Sequence, residues 1–342
     1  MSRGAPTRVA GGGRLSLPVV LGLGGAALVG ALLASIAIGA TVIPLDRALA
    51  VLAAPDGSRE AIIVADARLP RTLIGATVGA ALGVAGAVMQ AVSRNPLAEP
   101  GILGVSWGAA LGAVGAQVAL GIGSPAAAVG FALLGAAGAG ATVVLIGSLG
   151  RGGLSPARLV VAGAAVSTLL WSVLQGLLVI DHASLEASRR WLAGSLSGRD
   201  EASLLQVAPY LGAGLVLALL LARPLTALSL GDDVARGLGQ RTGTVKVAAA
   251  LAVVLLAGAA VAVAGPIVLV GLAVPHVARA LVGRDYSRVL PVSGLLGAVL
   301  VLAADVAGRR VMPPEEVPVG VMAALLGAPV FLHAVRRGVR PL

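Results

Sequence analysis

Cysteine is absent from the 342-residue chain, which excludes disulfides and thiolate metal sites. Histidine is scarce: His182, His276 and His333 stand far apart, so no metal centre and no cofactor is expected. Aromatic residues make up only 2%, too few to stack bases. The formal charge of +10 is therefore not read as a nucleic-acid surface. Lysine occurs once, as Lys246 in TGTVKVA, and no GxxxxGK[ST] loop surrounds it, so ATP is not bound by that route. Charged residues are 12% of the chain, where a soluble domain has about a quarter.

What remains is apolar. Hydrophobic residues are 58% and the mean hydropathy is +0.99, a surplus that a globule of this size cannot hide from water. Lipid is the expected solvent. Ten apolar segments stand out: 17–40, 69–92, 101–121, 125–149, 157–180, 202–222, 245–263, 265–281, 289–307 and 317–335. The first follows Arg3, Arg8 and Arg14, but it is longer than a signal-peptide core and reads as a retained membrane helix. The strand alternation of an outer-membrane barrel is missing. The longest polar stretches, 41–68, 181–201 and 223–244, are too short for a soluble domain. The expected fold is an all-α polytopic membrane protein of about ten transmembrane helices.

An even number of spans puts both termini on one side, and charge says which. With the N-terminus inside, the inner segments carry 15 basic residues and three acids; the outer segments carry nine arginines and eleven acids. That excess satisfies the positive-inside rule, so both termini are expected in the cytoplasm.

Gly75, Gly79 and Gly83 recur every four residues, the spacing that lets helix backbones approach closely. The next stretch, RNPLAEPGILG from Arg94 to Gly104, sets two prolines and two charges between apolar runs. Irregular polar backbone at membrane depth must be buried in protein or line a cavity, which points to a re-entrant turn. A second break, AGPIVLVGLAVPHVARALVGRDY (Ala264–Tyr286), lies about 180 residues on, in the other half. Paired breaks imply an internal repeat, with halves at about 60–180 and 240–337, inverted in the membrane.

The stretch ARLPRTLIGATVGAALGVAGAVMQAVSRNPLAEPGILGVSWGAALGA closely resembles the signature region of FecCD-type permeases, the membrane subunits of ABC importers for iron–siderophores, haem and cobalamin. LSPARLVVAGAAVS, WLAGSLSG, SLGDDVARGLG, GPIVLVGLAVPHVAR and EEVPVGVMAALLGAPVFLHAVRR follow in family order, so the resemblance spans roughly residues 60–337. Val268-Leu269 replaces the usual Phe-containing element, and Arg199-Asp200 follows GSLSG where an aromatic is common. The resemblance implies a single permease domain at 17–337, with cytoplasmic tails at 1–16 and 338–342. It implies a second permease subunit, homo- or heteromeric, around one path. It also implies two ATP-binding-cassette ATPase subunits on the cytoplasmic side and an extracytoplasmic substrate-binding protein outside. The chain itself makes no covalent bond and is expected in the cytoplasmic (inner) membrane.

The resemblance carries roles to residues. Arg68, Arg71 and Arg309 match outward arginines that dock acidic residues of the binding protein; the competing reading is topology anchoring or pairing with Asp66 or Asp305. Gly231, Asp232, Asp233, Val234, Ala235, Leu238 and Gly239 form the expected coupling helix that fits an ATPase groove. Leu154, Ser155 and Pro156 are an expected inner gate, and Trp191 and Gly194 an outer one. Gln90, Asn95 and Pro96 either line the path or satisfy broken-helix backbone. The expected cargo is a ferric siderophore or similar metal chelate, with haem and cobalamin as alternatives. A secondary transporter driven by an ion gradient is the rival reading; it predicts buried acids, of which Glu99 and Asp305 are the chief examples.

Overall fold

A computed structural model describes residues 16–121, 125–149, 155–180, 191–313 and 315–336. Among them the regular elements are helices: α1 (Leu17–Ala37), α2 (Leu45–Ala53), α3 (Arg59–Ile62), α4 (Leu69–Ser93), α5 (Val105–Leu120), α6 (Pro125–Ser148), α7 (Pro156–Ile180), α8 (Glu201–Leu220), α9 (Ala222–Ser229), α10 (Asp232–Gly237), α11 (Thr242–Ala264), α12 (Val270–Val282), α13 (Tyr286–Val311) and α14 (Val319–Arg336). All ten apolar segments fall on helices. Seven helical stretches are long and apolar enough to cross a membrane, and Val105–Leu120, Val270–Val282 and Val319–Pro329 are shorter apolar helices.

The polar stretch 41–68 is not a loop. It folds as α2 and α3, and a π-helical turn, Ile63–Arg68, runs α3 into α4. Local chemistry accounts for this. The Ser58 side chain caps α3 by accepting from Ala61 N–H at 3.2 Å. Arg47 donates to Asp56 at 2.5 Å and to Glu60 at 2.6 Å, pinning α2 to α3. The Ser58 hydroxyl and N–H, with Arg47 beside them, hold the Asp56 carboxyl below the usual carboxylate range. Beneath these polar ties Ala48, Val51, Ala61 and Val64 bury against Ile36 and Ile43 of the first helix and its turn.

Helix ends follow the same local rules. Asp285 accepts from Ser287 N–H at the start of α13, and Asp200 from Ser203 N–H at the start of α8. The Ser203 contact lowers the pKa of the Asp200 carboxyl.

The packing repeats. α4 packs on α13 as α11 packs on α6. The pairs α5–α6, α5–α7, α6–α7 and α4–α12 have their counterparts in α12–α13, α12–α14, α13–α14 and α11–α5. α1 stands against α13 and α4 as α8 stands against α6 and α11. One exchange therefore maps α1, α4, α5, α6 and α7 onto α8, α11, α12, α13 and α14. In this exchange α1 and α8 are the first members of the halves, so each half begins earlier than the motifs suggest.

The α4–α13 contact depends on glycine. A Cβ at Gly79 would collide with the Gly297 carbonyl, and one at Gly297 with the Gly79 carbonyl. Without a hydrophobic drive between helices in lipid, such backbone proximity supplies van der Waals contact. Gly25 of α1 has open space instead. Gly79→Val is expected to lower the thermal unfolding temperature in detergent by many degrees, whereas Gly25→Ala leaves it unchanged; equal curves for both variants would refute the close-packing account.

Candidate translocation path and coupling surface

Two breaks meet in the core. α4 ends at Arg94, whose left-handed backbone (φ 51°) reverses the chain without glycine. Asn95 Oδ1 then accepts from Leu97 N–H at 2.9 Å, a side-chain turn that leads through Pro96 to the short helix Pro100–Leu103. The second break runs from Gly265 (φ 72°) to Leu269, left-handed at φ 70°. Leu269 N–H donates to the Glu99 carboxylate, which ties one break to the other.

Gln90 makes the stronger link. Its side chain is fully buried, and Nε2 donates to the carbonyls of Gly271 and Leu272, each at 3.2 Å. In a regular helix the Gly271 carbonyl would accept from the N–H four residues on, and that residue is Pro275, which has none. Gln90 supplies from α4 the donor that α12 lacks. This contact is the kind expected of a side chain that satisfies broken-helix backbone. Gln90→Leu is expected to cost about 1–3 kcal/mol of stability by orphaning that carbonyl. Pro275→Ala in the same chain restores an N–H and is expected to recover part of the loss, measured as a double-mutant cycle of unfolding midpoints.

Trp191 and Gly194 stand at the second break. Ser195 N–H donates to the Ala264 carbonyl at 2.8 Å, and Gly320 N–H of α14 donates to the Gly194 carbonyl at 3.1 Å. Gly194 is left-handed (φ 74°) and lies against Pro266 and Gly320, while the Trp191 carbonyl fills the space beside Gly265. The residues expected as an outer gate thus bridge α11, the break and α14. At the expected inner gate, Leu154 lies outside the described residues and Pro156 opens α7. Ser155 Oγ accepts from Arg158 N–H and Nε, and Arg158 also donates to the Leu149 carbonyl at 2.7 Å, fastening the end of α6 to the start of α7.

The three arginines expected at the docking surface are placed differently. Arg68 is 5% exposed and Arg309 is 2% exposed. Arg68 donates to the carbonyls of Ile36, Ala37 and Thr41 at 2.5–2.8 Å. Arg309 donates to Ser35 and Ile38 carbonyls, to Ser35 Oγ, and to buried Asp305. Both satisfy the unpaired carbonyls where α1 ends, although Nε of Arg309 is left without a partner. Arg71, 14% exposed at its side chain, bridges Asp305 at 2.7 Å and Glu316 at 2.7 Å. The competing reading, anchoring and pairing with Asp305, is the one these distances fit. Removing one partner from a buried pair costs about 3–5 kcal/mol. Arg309→Met is therefore expected to destabilise the fold by that order in a chemical-denaturation or thermal measurement; unchanged stability with weakened binding-protein affinity would return Arg309 to docking.

All three arginines line a cavity of about 540 Å³, together with Arg59, Asp66, Arg199, Asp200 and Glu316. Arg199 turns a buried, unpaired Nε towards this region. The sequence reading assigned it no docking role.

On the side opposite in charge pattern, Gly231 (φ 125°) turns the chain from α9 into α10. Ala235 is fully buried, whereas Leu230, Val234 and Leu238 are 63%, 47% and 68% exposed. Only Val234 lies within α10; Leu230 precedes its Gly231 cap and Leu238 closes it, so an exposed apolar patch brackets the short helix. Asp233 pairs with Arg236 at 3.0 Å at the surface, and Asp232 turns inward to Lys246 at 2.8 Å.

One feature was missed. α7 exposes Thr168, Ser172 and Gln175, spaced four and three apart along an otherwise apolar helix. The two hydroxyls donate to carbonyls one turn back, but an amide has no comfortable place in hydrocarbon, which points this stripe at a cavity or a second chain. Its helical spacing was legible in the sequence.

The chain matches the FecCD transport family over residues 27–337. It is 43% identical over 304 residues to the Fe(3+)-citrate import system permease protein YfmD of Bacillus subtilis (strain 168), covering 89% of this chain and 90% of that one. It is 43% identical over 307 residues to the ferric enterobactin transport system permease protein FepD of Escherichia coli (strain K12), covering 90% and 91%. A solved structure described as a metal-chelate type ABC transporter in an inward-facing conformation superposes with a TM-score of 0.82 at 29% identity, over 94% of this chain and 100% of that one. The interlocked breaks, the repeated helix packing and these matches together place the chain, a multi-pass membrane protein, in the FecCD transport family.

Proposed function

We propose that the chain is the permease subunit of an ATP-binding-cassette importer that moves a ferric siderophore or similar iron chelate across the cytoplasmic membrane. Two permease subunits surround one path, two ATPase subunits bind from the cytoplasm, and a substrate-binding protein delivers cargo from outside. The ten helices cross with both termini in the cytoplasm, as the basic excess of the inner segments favours. The relatives named for ferric citrate and ferric enterobactin support an iron chelate as cargo. The polar stripe of α7 supports a path or subunit contact along that helix. Docking falls to the rim of the outer cavity, where Arg71, Arg199 and Arg59 stand, with Arg68 and Arg309 as their buried support.

The observation that carries this reading is the exposed apolar patch at α10. Val234 on this helix, with Leu230 just before it and Leu238 at its end, leaves three large aliphatic side chains exposed beside polar residues, a patch suited to a groove on a partner. A gradient-driven transporter is less well supported: Asp305 is held between Arg71 and Arg309, and Glu99 accepts from Leu269 N–H, so each acid is already engaged.

The tagged chain, extracted in mild detergent from cells expressing its transporter, is expected to bring down stoichiometric ATPase. Val234→Asp with Leu238→Asp is expected to cut that recovery at least tenfold while the permease stays folded. Recovery of no ATPase by the unaltered chain would overturn the importer reading. With the assembled complex in liposomes, iron uptake from ferric citrate, catecholate and hydroxamate chelates is expected to exceed uptake of haem or cobalamin; the reverse order would reassign the cargo.

A further inference from the structure

Lys246 is the only lysine in the chain, and it is buried, with 3% of its side chain exposed. It lies in the first turns of α11 and donates to Asp232 Oδ2 at 2.8 Å. Asp232 is the first residue of α10, the helix bracketed by the exposed apolar patch. A buried ammonium is costly unless a carboxylate meets it, so the two residues hold each other at fixed separation. α10 is six residues long and buries Ala235, and it packs on α9 as well as on α11.

α11 is suited to receive a push. Its 23 residues span about 35 Å at 1.5 Å per residue. It packs on α4, α5, α6 and α8, and 72% of its apolar window is buried. Its far end is Gly265, where the Trp191 carbonyl fills the adjoining space and Ala264 accepts from Ser195. One rod therefore joins the inner short helix to the outer break. On the other side of α10, Arg94 NH1 lies 3.8 Å from where a Gly231 side chain would begin. The broken end of α4 thus also reaches the same short helix. These are corresponding helices of the two halves.

We propose that Lys246 is a positioning residue for energy coupling: its pairing with Asp232 makes α10 and α11 move together, so that a displacement imposed on α10 reaches the break at Gly265–Leu269. The inference rests on the importer reading above. It goes beyond that reading by assigning transmission to a specific buried pair rather than to surface contact with the ATPase.

Lys246→Met alone strands the Asp232 carboxylate and can fail to fold. The informative variant is Lys246→Met with Asp232→Asn, which removes both charges at similar volume. The assay uses the whole transporter, permease with ATPase and binding protein, in liposomes. The double variant is read as hydrolysis and uptake per ATPase recovered. It is expected to lose the stimulation of hydrolysis by loaded binding protein, with chelate uptake down at least tenfold. Lys246→Arg, which keeps the charge, is expected to retain most of the stimulation. Unaltered uptake in the double variant would overturn the proposal. So would parallel loss of ATPase recovery, basal hydrolysis and uptake, because that pattern marks a purely structural pair. If the unaltered chain recovers no ATPase, the importer reading falls first, and the two failures are told apart by that control.

Discussion

A backbone carbonyl at membrane depth has no water to turn to, so every interrupted helix must find its donors inside the protein. This chain interrupts two helices in its core and then satisfies each with the other. Pro275 deprives the Gly271 carbonyl of its usual N–H, and Gln90 from the opposite half provides one. The left-handed Leu269 exposes its N–H, and Glu99 from the opposite break takes it. Neither break is tolerable alone. The two halves are held together by the same defects that would destabilise either of them in lipid.

The same rule accounts for the arginines at the end of α1. That helix finishes beside the ends of α4 and α13, with carbonyls unpaired. Arg68 and Arg309 deliver guanidinium donors to them, and Asp305 neutralises the charge that results. A buried cluster of two arginines and one aspartate would be a poor stabiliser in exchange for an apolar core. Here the alternative is not an apolar core but bare carbonyls, and the comparison changes sign. Arg71 adds a second cation to Asp305 and extends to Glu316, so the cluster grades from fully buried to partly wet within one side chain.

Much of this was legible in residue order. The runs 157–180 and 289–307 coincide with Pro156–Ile180 and Tyr286–Val311 to within a few residues, because hydropathy and proline position act locally. The glycines of α4 announced a close approach without naming α13 as the partner. The breaks were visible as polar, proline-bearing interruptions. What residue order leaves open is partner identity. An arginine in RLPR looks the same whether it meets another protein, the end of its own first helix or both. Gln90 could not be assigned until the Gly271 carbonyl, 181 positions away along the chain, was seen to accept from it in place of its helical donor. The stretch 41–68 read as polar because its charges satisfy one another over a small apolar cluster too short to register as periodic.

Interlocked breaks constrain how the molecule can move. Gln90 and Glu99 bind α12 and its leading turn to α4, while Ser195 and Gly194 bind the end of α11 and the start of α14 to the 191–195 segment. Motion that separated these elements would strand carbonyls in a dry interior, each at a cost of about 1–3 kcal/mol. Rigid displacement that keeps the contacts costs far less. Rearrangement is therefore expected along a helix that shares few of these contacts, such as α7, whose outward face carries hydroxyls already satisfied within their own helix. Such side chains can exchange a partner chain for water, or one register for another, without leaving a buried donor alone. The core stays closed because its defects are shared, and α7 can shift against a neighbour because it keeps its own hydrogen bonds.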